Sequence, residues 1–213
     1  MPHIRNKMNY LEFRDKVLPM GCFNIRQVLL LFPNLDRSNI IRWVKKGYLI
    51  KLRNEYYAFA ECKQTPDFQL LVANKIYNPS YVSLHSVLSF YGMIPEMVVQ
   101  TTSVTTLKSV RFTNDFGEFS YNNVKESLFF GYESKLLDDR HSVLFATPEK
   151  ALLDLLYLYP FYNTSEEIEN LRLDDTFMHE EFNLERFKNY LALFNSKALE
   201  KRASILLKSF DYD

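Results

Sequence analysis

Apolar residues fall at helical spacing almost from the start of the chain. Between Asn9 and Leu18, the residues Tyr10, Phe13, Val17 and Leu18 share one face with charges between them, which predicts an amphipathic helix. Pro19 and Gly21 end it. A shorter helix is predicted over Ile25–Phe32, stopping before Pro33. Pro33-Asn34-Leu35-Asp36 reads as a tight polar turn, with Asp36 able to cap the next helix by accepting from its first free N–H groups. That third helix runs from Arg37 to Lys46, and Gly47 suits its C-terminal stop. Helix, short helix, turn and helix is the layout of a helix-turn-helix unit.

The third helix sorts by face. Ile40, Trp43 and Val44 stand at i, i+3 and i+4 and are expected to pack inward. Asn39, Arg42 and Lys46 occupy a different stripe, flanked by Ser38 and Lys45, and Arg37 sits in the first turn. In such units the helix N-terminus meets DNA. Arginine can read guanine, asparagine can read adenine, and serine can bond to either a base or phosphate. Lys45 and Lys46, near the C-terminal end, suit phosphate contact better than base readout. The plain alternative for each is an ordinary solvated side chain, and Lys46 could simply complement the helix dipole.

After Gly47 the period changes to that of strands. Tyr48–Arg53 and Glu55–Phe59 predict a β-hairpin about Asn54-Glu55, a turn without the usual glycine. A hairpin after the third helix makes the expected unit a winged helix, with Lys51 and Arg53 placed to touch phosphate or the minor groove. The polar stretch Glu61–Asp67 then marks a boundary, dividing a winged-helix domain over residues 1–63 from a second domain over 64–213.

The second domain reads as mixed α+β. Helices are predicted at Phe68–Tyr77 and Ser83–Tyr91, with Asn78-Pro79-Ser80 between them. Strands follow at Met97–Thr105, Lys108–Thr113, Gly117–Asn122, Ser127–Tyr132 and Ser142–Ala146. Thr147-Pro148-Glu149 opens a strongly apolar helix to Leu158, with Thr147 as cap and proline in its first turn. Further helices at Ser165–Leu171, Leu184–Phe194 and Lys197–Lys208 make a helical C-terminal subdomain.

Charge sharpens this division. The 26 Lys+Arg and 26 Asp+Glu balance over the whole chain. Residues 1–64, however, carry twelve basic and five acidic residues, so the remainder is acidic by the same margin. A basic module joined to an acidic one points to two different partners, and positive charge on a small domain favours phosphate. No apolar run is long enough to span a bilayer. The basic start, Met1–Tyr10, lacks the apolar core of a signal peptide. Cys22 and Cys62 form no paired motif, which fits reduced thiols and a cytoplasmic location.

Signatures of catalysis are poor, and no enzyme activity, cofactor or metal is expected. His3, His85, His141 and His179 are scattered and match no metal spacing. No glycine-rich phosphate loop, dinucleotide fingerprint or nucleophile elbow occurs. Glu149, Lys150 and Asp154 share an apolar helix. Lys150 and Asp154, at i and i+4, can pair, and that structural reading outweighs a binding or catalytic site.

Three segments carry a resemblance. They are Trp43-Val44-Lys45-Lys46-Gly47-Tyr48-Leu49-Ile50-Lys51-Leu52-Arg53, Tyr81-Val82-Ser83-Leu84-His85-Ser86-Val87-Leu88-Ser89-Phe90-Tyr91-Gly92, and Ala146-Thr147-Pro148-Glu149-Lys150-Ala151-Leu152-Leu153-Asp154-Leu155-Leu156-Tyr157. In order and spacing the chain resembles the AbiEi-type antitoxins of bacterial abortive-infection toxin–antitoxin systems. The resemblance implies a winged helix that represses its own operon at inverted repeats of double-stranded operator DNA. It also implies a C-terminal domain opposing a nucleotidyltransferase-like toxin without a stable complex. The Asn54-Glu55 turn departs from the Arg-Gly type common in that family. A ligand-sensing regulator with no toxin partner is the other reading of the same chain.

Overall fold

A computed structural model describes residues 8–212 of the 213-residue chain. Met1–Lys7, with His3 and most of the segment read as lacking a signal peptide, lie outside the described residues. The fold is α+β, with a small antiparallel sheet and a larger mixed one.

Helix α1 (Tyr10–Val17) starts where Asn9 Oδ1 accepts from the Glu12 N–H at 2.9 Å. A 3-10 turn, Leu18–Met20, leads into β1 (Cys22–Asn24), a strand too short to show a period. Helix α2 (Ile25–Leu31) follows, then α3 (Arg37–Lys45). Asp36 caps α3 as expected, its carboxylate accepting from the Ser38 N–H at 2.9 Å. Gly47, at φ 73°, turns the chain out of the helix in a conformation that would strain other residues.

Strands β2 (Leu49–Arg53) and β3 (Tyr56–Phe59) form the expected hairpin, and β1 adds to β3, giving the order β1-β3-β2. Aromatic rings fill the space between this sheet and the helices. Phe13 lies 4.6 Å from Trp43, Tyr10 4.5 Å from Tyr48, and Phe23 5.8 Å from Phe59, centroid to centroid. Such contacts add roughly 0.5–1.5 kcal/mol each beyond the area they bury.

The expected boundary holds a 3-10 helix, Ala60–Gln64, and leads into α4 (Phe68–Ile76). Next come β4 (Ser80–Val82), α5 (His85–Phe90), β5 (Gln100–Thr105), β6 (Val110–Asn114) and β7 (Gly117–Asn123). Strands β8 (Tyr132–Leu136) and β9 (Ser142–Ala146) complete a six-stranded sheet of order β6-β7-β5-β4-β9-β8. Pairs β5·β7 and β4·β9 are parallel and the other three antiparallel. Five helices end the chain: α6 (Pro148–Leu158), α7 (Ser165–Glu169), α8 (Asp175–Glu180), α9 (Leu184–Phe194) and α10 (Lys197–Ser209). Thr147 caps α6 as expected. Helix α6 buries Ala151, Leu152, Leu153, Leu155 and Leu156 against α5, α9 and α10.

Two expectations for this part were displaced. The strand expected at Ser127–Tyr132 is instead a 3-10 turn, Glu126–Leu128, and the strand begins only at Tyr132. Gly131, at φ 74°, breaks the extended path there. A Cβ on it would lie 2.9 Å from the Lys150 side chain, so the chain runs against that lysine. Ser80, expected to end the break before a helix from Ser83, instead begins β4 (Ser80–Val82), whose three residues are all buried.

The two parts meet closely. Helix α4 packs both on β1 and β2 and on β4, β5 and β9. Asn114 Nδ2 donates to the Leu52 carbonyl at 3.2 Å, Lys63 pairs with Asp115 at 3.1 Å, and His141 Nε2 lies 3.1 Å from the Pro19 carbonyl. Among the described residues, no helix is long and apolar enough to cross a membrane.

Candidate nucleic-acid interface

Helix α3 divides into four rows of residues four apart. Two rows turn inward: Asn39 and Trp43 are buried, and Ile40 is buried beside half-buried Val44. The other two are exposed, Arg37–Ile41–Lys45 and Ser38–Arg42–Lys46. The outward face therefore carries four cations, one hydroxyl and one isoleucine, and α3 itself contains no acidic residue.

These cations differ from their neighbours. Arg14 pairs with Glu61 at 2.9 Å, Lys16 with Glu12 at 3.0 Å, Arg26 with Glu55 at 2.8 Å, and Lys63 with Asp115. Among the described residues, Arg37, Arg42, Lys45, Lys46 and Lys51 have no acidic partner within ion-pair distance. Lys46 Nζ rests 5.9 Å from the Tyr48 ring centroid, and Lys51 is exposed on β2. Cations left unpaired beside a hydroxyl donor and acceptor can bind phosphate oxygens and base edges.

Two of the eight expected contact residues lie elsewhere. Asn39 was placed on the exposed stripe, but it is 1% exposed. It stands four residues before Trp43 and so shares the buried row. Its Oδ1 accepts from Arg42 Nη2 at 2.7 Å, which satisfies the carboxamide oxygen and fixes the guanidinium. Arg53 was placed near a wing tip facing DNA, but its guanidinium points into the second part of the chain. Nη1 donates to the Ile76 carbonyl at 2.7 Å, with the ring centroids of Phe112 and Tyr77 at 4.4 and 5.0 Å. A charge-assisted hydrogen bond between two aromatic faces holds it there. The hairpin turn itself carries Glu55, paired with Arg26, so only Lys51 offers positive charge from this strand pair. Ile41, 58% exposed at the centre of the outward face, was not among the expected contacts. Its signal was an apolar residue four from Arg37 and four from Lys45.

The second part holds a different cluster of chemistry. Lys150 and Asp154 pair with both side chains wholly buried. Asp154 Oδ2 also accepts from the Tyr81 hydroxyl at 2.9 Å and Ser83 Oγ at 2.8 Å, and Lys150 Nζ lies 2.9 Å from the Tyr81 hydroxyl. The rings of Phe130 and Phe194 stand over the ammonium at 4.8 and 4.9 Å. Burial lowers the pKa of Lys150 and raises that of Asp154, each opposed by the partner's charge. Burial, then the Asp154 carboxylate, raises Tyr81 well above its usual value. Glu149, 2% exposed, accepts from the Asn183 N–H at 3.0 Å. Wholly buried, the cluster ties β4, α6 and the Gly131 bend together. Among the described residues, no three His, Cys, Asp or Glu side chains gather as a metal site.

Comparison with protein-family models matches none of them, and a search of curated proteins likewise finds no match.

Proposed function

We propose that residues 10–59 form a winged helix that lays α3 in the major groove of operator DNA. The observation that carries this is the outward face of α3, with Arg37, Arg42, Lys45 and Lys46 exposed, no acid among them, and the nearby cations neutralised. The order of three helices and a hairpin supports the same reading. Asn39 acts behind the interface by orienting Arg42, and Arg53 is left out of it. We further propose, on the resemblance of the three segments above to AbiEi-type antitoxins, that the chain represses its own operon in the cytoplasm. The second part then opposes a nucleotidyltransferase-like toxin.

The test separates these two roles. Arg42→Ala should weaken binding to the DNA upstream of the chain's own gene with little loss of fold; unchanged binding removes Arg42 from the interface. The same variant should still protect cells co-expressing the adjacent gene. Loss of protection by a folded Arg42→Ala chain would overturn the division of labour, and an adjacent gene that is harmless when expressed alone would overturn the antitoxin role.

A cleft of about 350 Å³ between the two parts, lined in part by Glu61, Thr65, Arg140 and His141, favours the second reading, a ligand-sensing regulator. DNA affinity that changes with a small metabolite, beside a harmless neighbouring gene, would select it.

A further inference from the structure

We infer that Ile41 reads the C5-methyl group of thymine in the major groove; this rests on the reading of α3 as the DNA-contacting helix. Ile41 is the one apolar side chain on the outward face, between Arg37 and Lys45 along one row and beside Ser38 and Arg42 of the next. Its exposure of 58% means that it gains little from folding. As a β-branched residue it is also a slightly poorer helix former than the lysines and arginines around it. Its complement must be apolar and must lie where the flanking cations meet phosphate. Duplex DNA offers one such group on its major-groove edge, the thymine methyl. Phosphates, sugars and the minor-groove edges of the bases offer no methyl group. The arrangement divides the labour: Lys45 and Lys46 hold the backbone, Arg42, braced by Asn39, takes a hydrogen-bonding edge, and Ile41 makes the apolar contact.

The experiment uses the full chain. A preferred duplex is selected from a randomised pool, and each thymine in it is then replaced by uracil, which keeps the pairing and removes only the methyl. Wild-type protein should lose about fourfold in affinity at one or more thymines, the worth of one buried methyl. Ile41→Ala should bind more weakly and show no loss at those same positions. Ile41→Val, which keeps a branched apolar surface, should retain the methyl effect. Equal uracil penalties for wild type and Ile41→Ala, or a selected site with no methyl-sensitive position, would overturn the assignment while leaving DNA binding intact. So would a change of oligomeric state in Ile41→Ala without any change in methyl sensitivity, since Ile41 would then serve a contact between protein chains. Failure of wild type to select any duplex would overturn the DNA-binding reading itself.

Discussion

Salt dependence offers the most demanding test of the proposed interface, because the structure sets its magnitude. Among the described residues, four exposed cations without acidic partners are available to phosphate, namely Arg37, Lys45, Lys46 and Lys51, with Arg42 given to a base edge. Each phosphate neutralised adds about −0.9 to the slope of log affinity against log salt, so four give a limit near −3.6 per bound chain. Affinity should then fall about 150-fold between roughly 50 and 200 mM salt. Lys45→Gln should reduce the slope by about 1. Arg53→Gln should leave it unchanged, because Arg53 is committed to the Ile76 carbonyl and two rings. Its loss should instead lower stability by roughly 1.5–3 kcal/mol, the worth of a hydrogen bond to a charged group. Fluorescence anisotropy with a labelled duplex, titrated across a salt series, gives the slopes, and urea unfolding gives the stabilities. A flat slope would refute phosphate contact. A slope reduced as much by Arg53→Gln as by Lys45→Gln would refute the placement of Arg53.

Two further predictions concern the interior. Lys150→Met should cost about 3–5 kcal/mol in urea unfolding, because it leaves Asp154 buried without its counter-charge, whereas Lys150→Met with Asp154→Leu should recover most of that loss. A single-variant cost under about 1 kcal/mol would show that the pair is not closed. Both thiols should resist alkylation near pH 8 until the chain is unfolded, since burial pushes Cys62 up to about 11 and Cys22 higher still. Rapid labelling of either thiol in the folded protein would contradict this burial.

What the residues revealed in advance followed from whether the determinants were local. Asp36 and Gly47 bracket α3, and Thr147-Pro148 opens α6, because caps act through the nearest backbone groups. Strands β1 and β4 have three residues each, too few for alternation to register, and they exist because longer neighbours pair with them. The error at Asn39 had another cause. Its place in the Trp43 row was implicit in the spacing, but asparagine was read as polar and therefore outward. A hydrogen bond from Arg42 offsets the cost of that burial. Arg53 was beyond reach of any local pattern, since Ile76 and Phe112 are remote in sequence. Lys150 showed a partner at i+4 but not its burial, which depends on Tyr81, Phe130, Gly131 and Phe194 closing around it.

The balance of charge over the chain takes on a physical meaning once the parts are placed. A basic unit and an acidic one attract, and unguided docking would set the cations of α3 against the acids of the second part. The contacts between the parts run elsewhere, through β1, β2, Lys63 and the 3-10 turn at Pro19. Arg53 contributes its charge to that docking and is surrounded by rings and a carbonyl, not by acids. The α3 face thus stays exposed, with no ion pair to its cations among the described residues. Screening reaches only about 10 Å at 0.1 M salt, so acids farther away than that scarcely weaken it. Those acids still repel phosphate that approaches from their own side. On the proposed reading, segregated charge on a neutral chain would present DNA with one attractive face, and its segregation, not the net charge, would limit binding in other orientations.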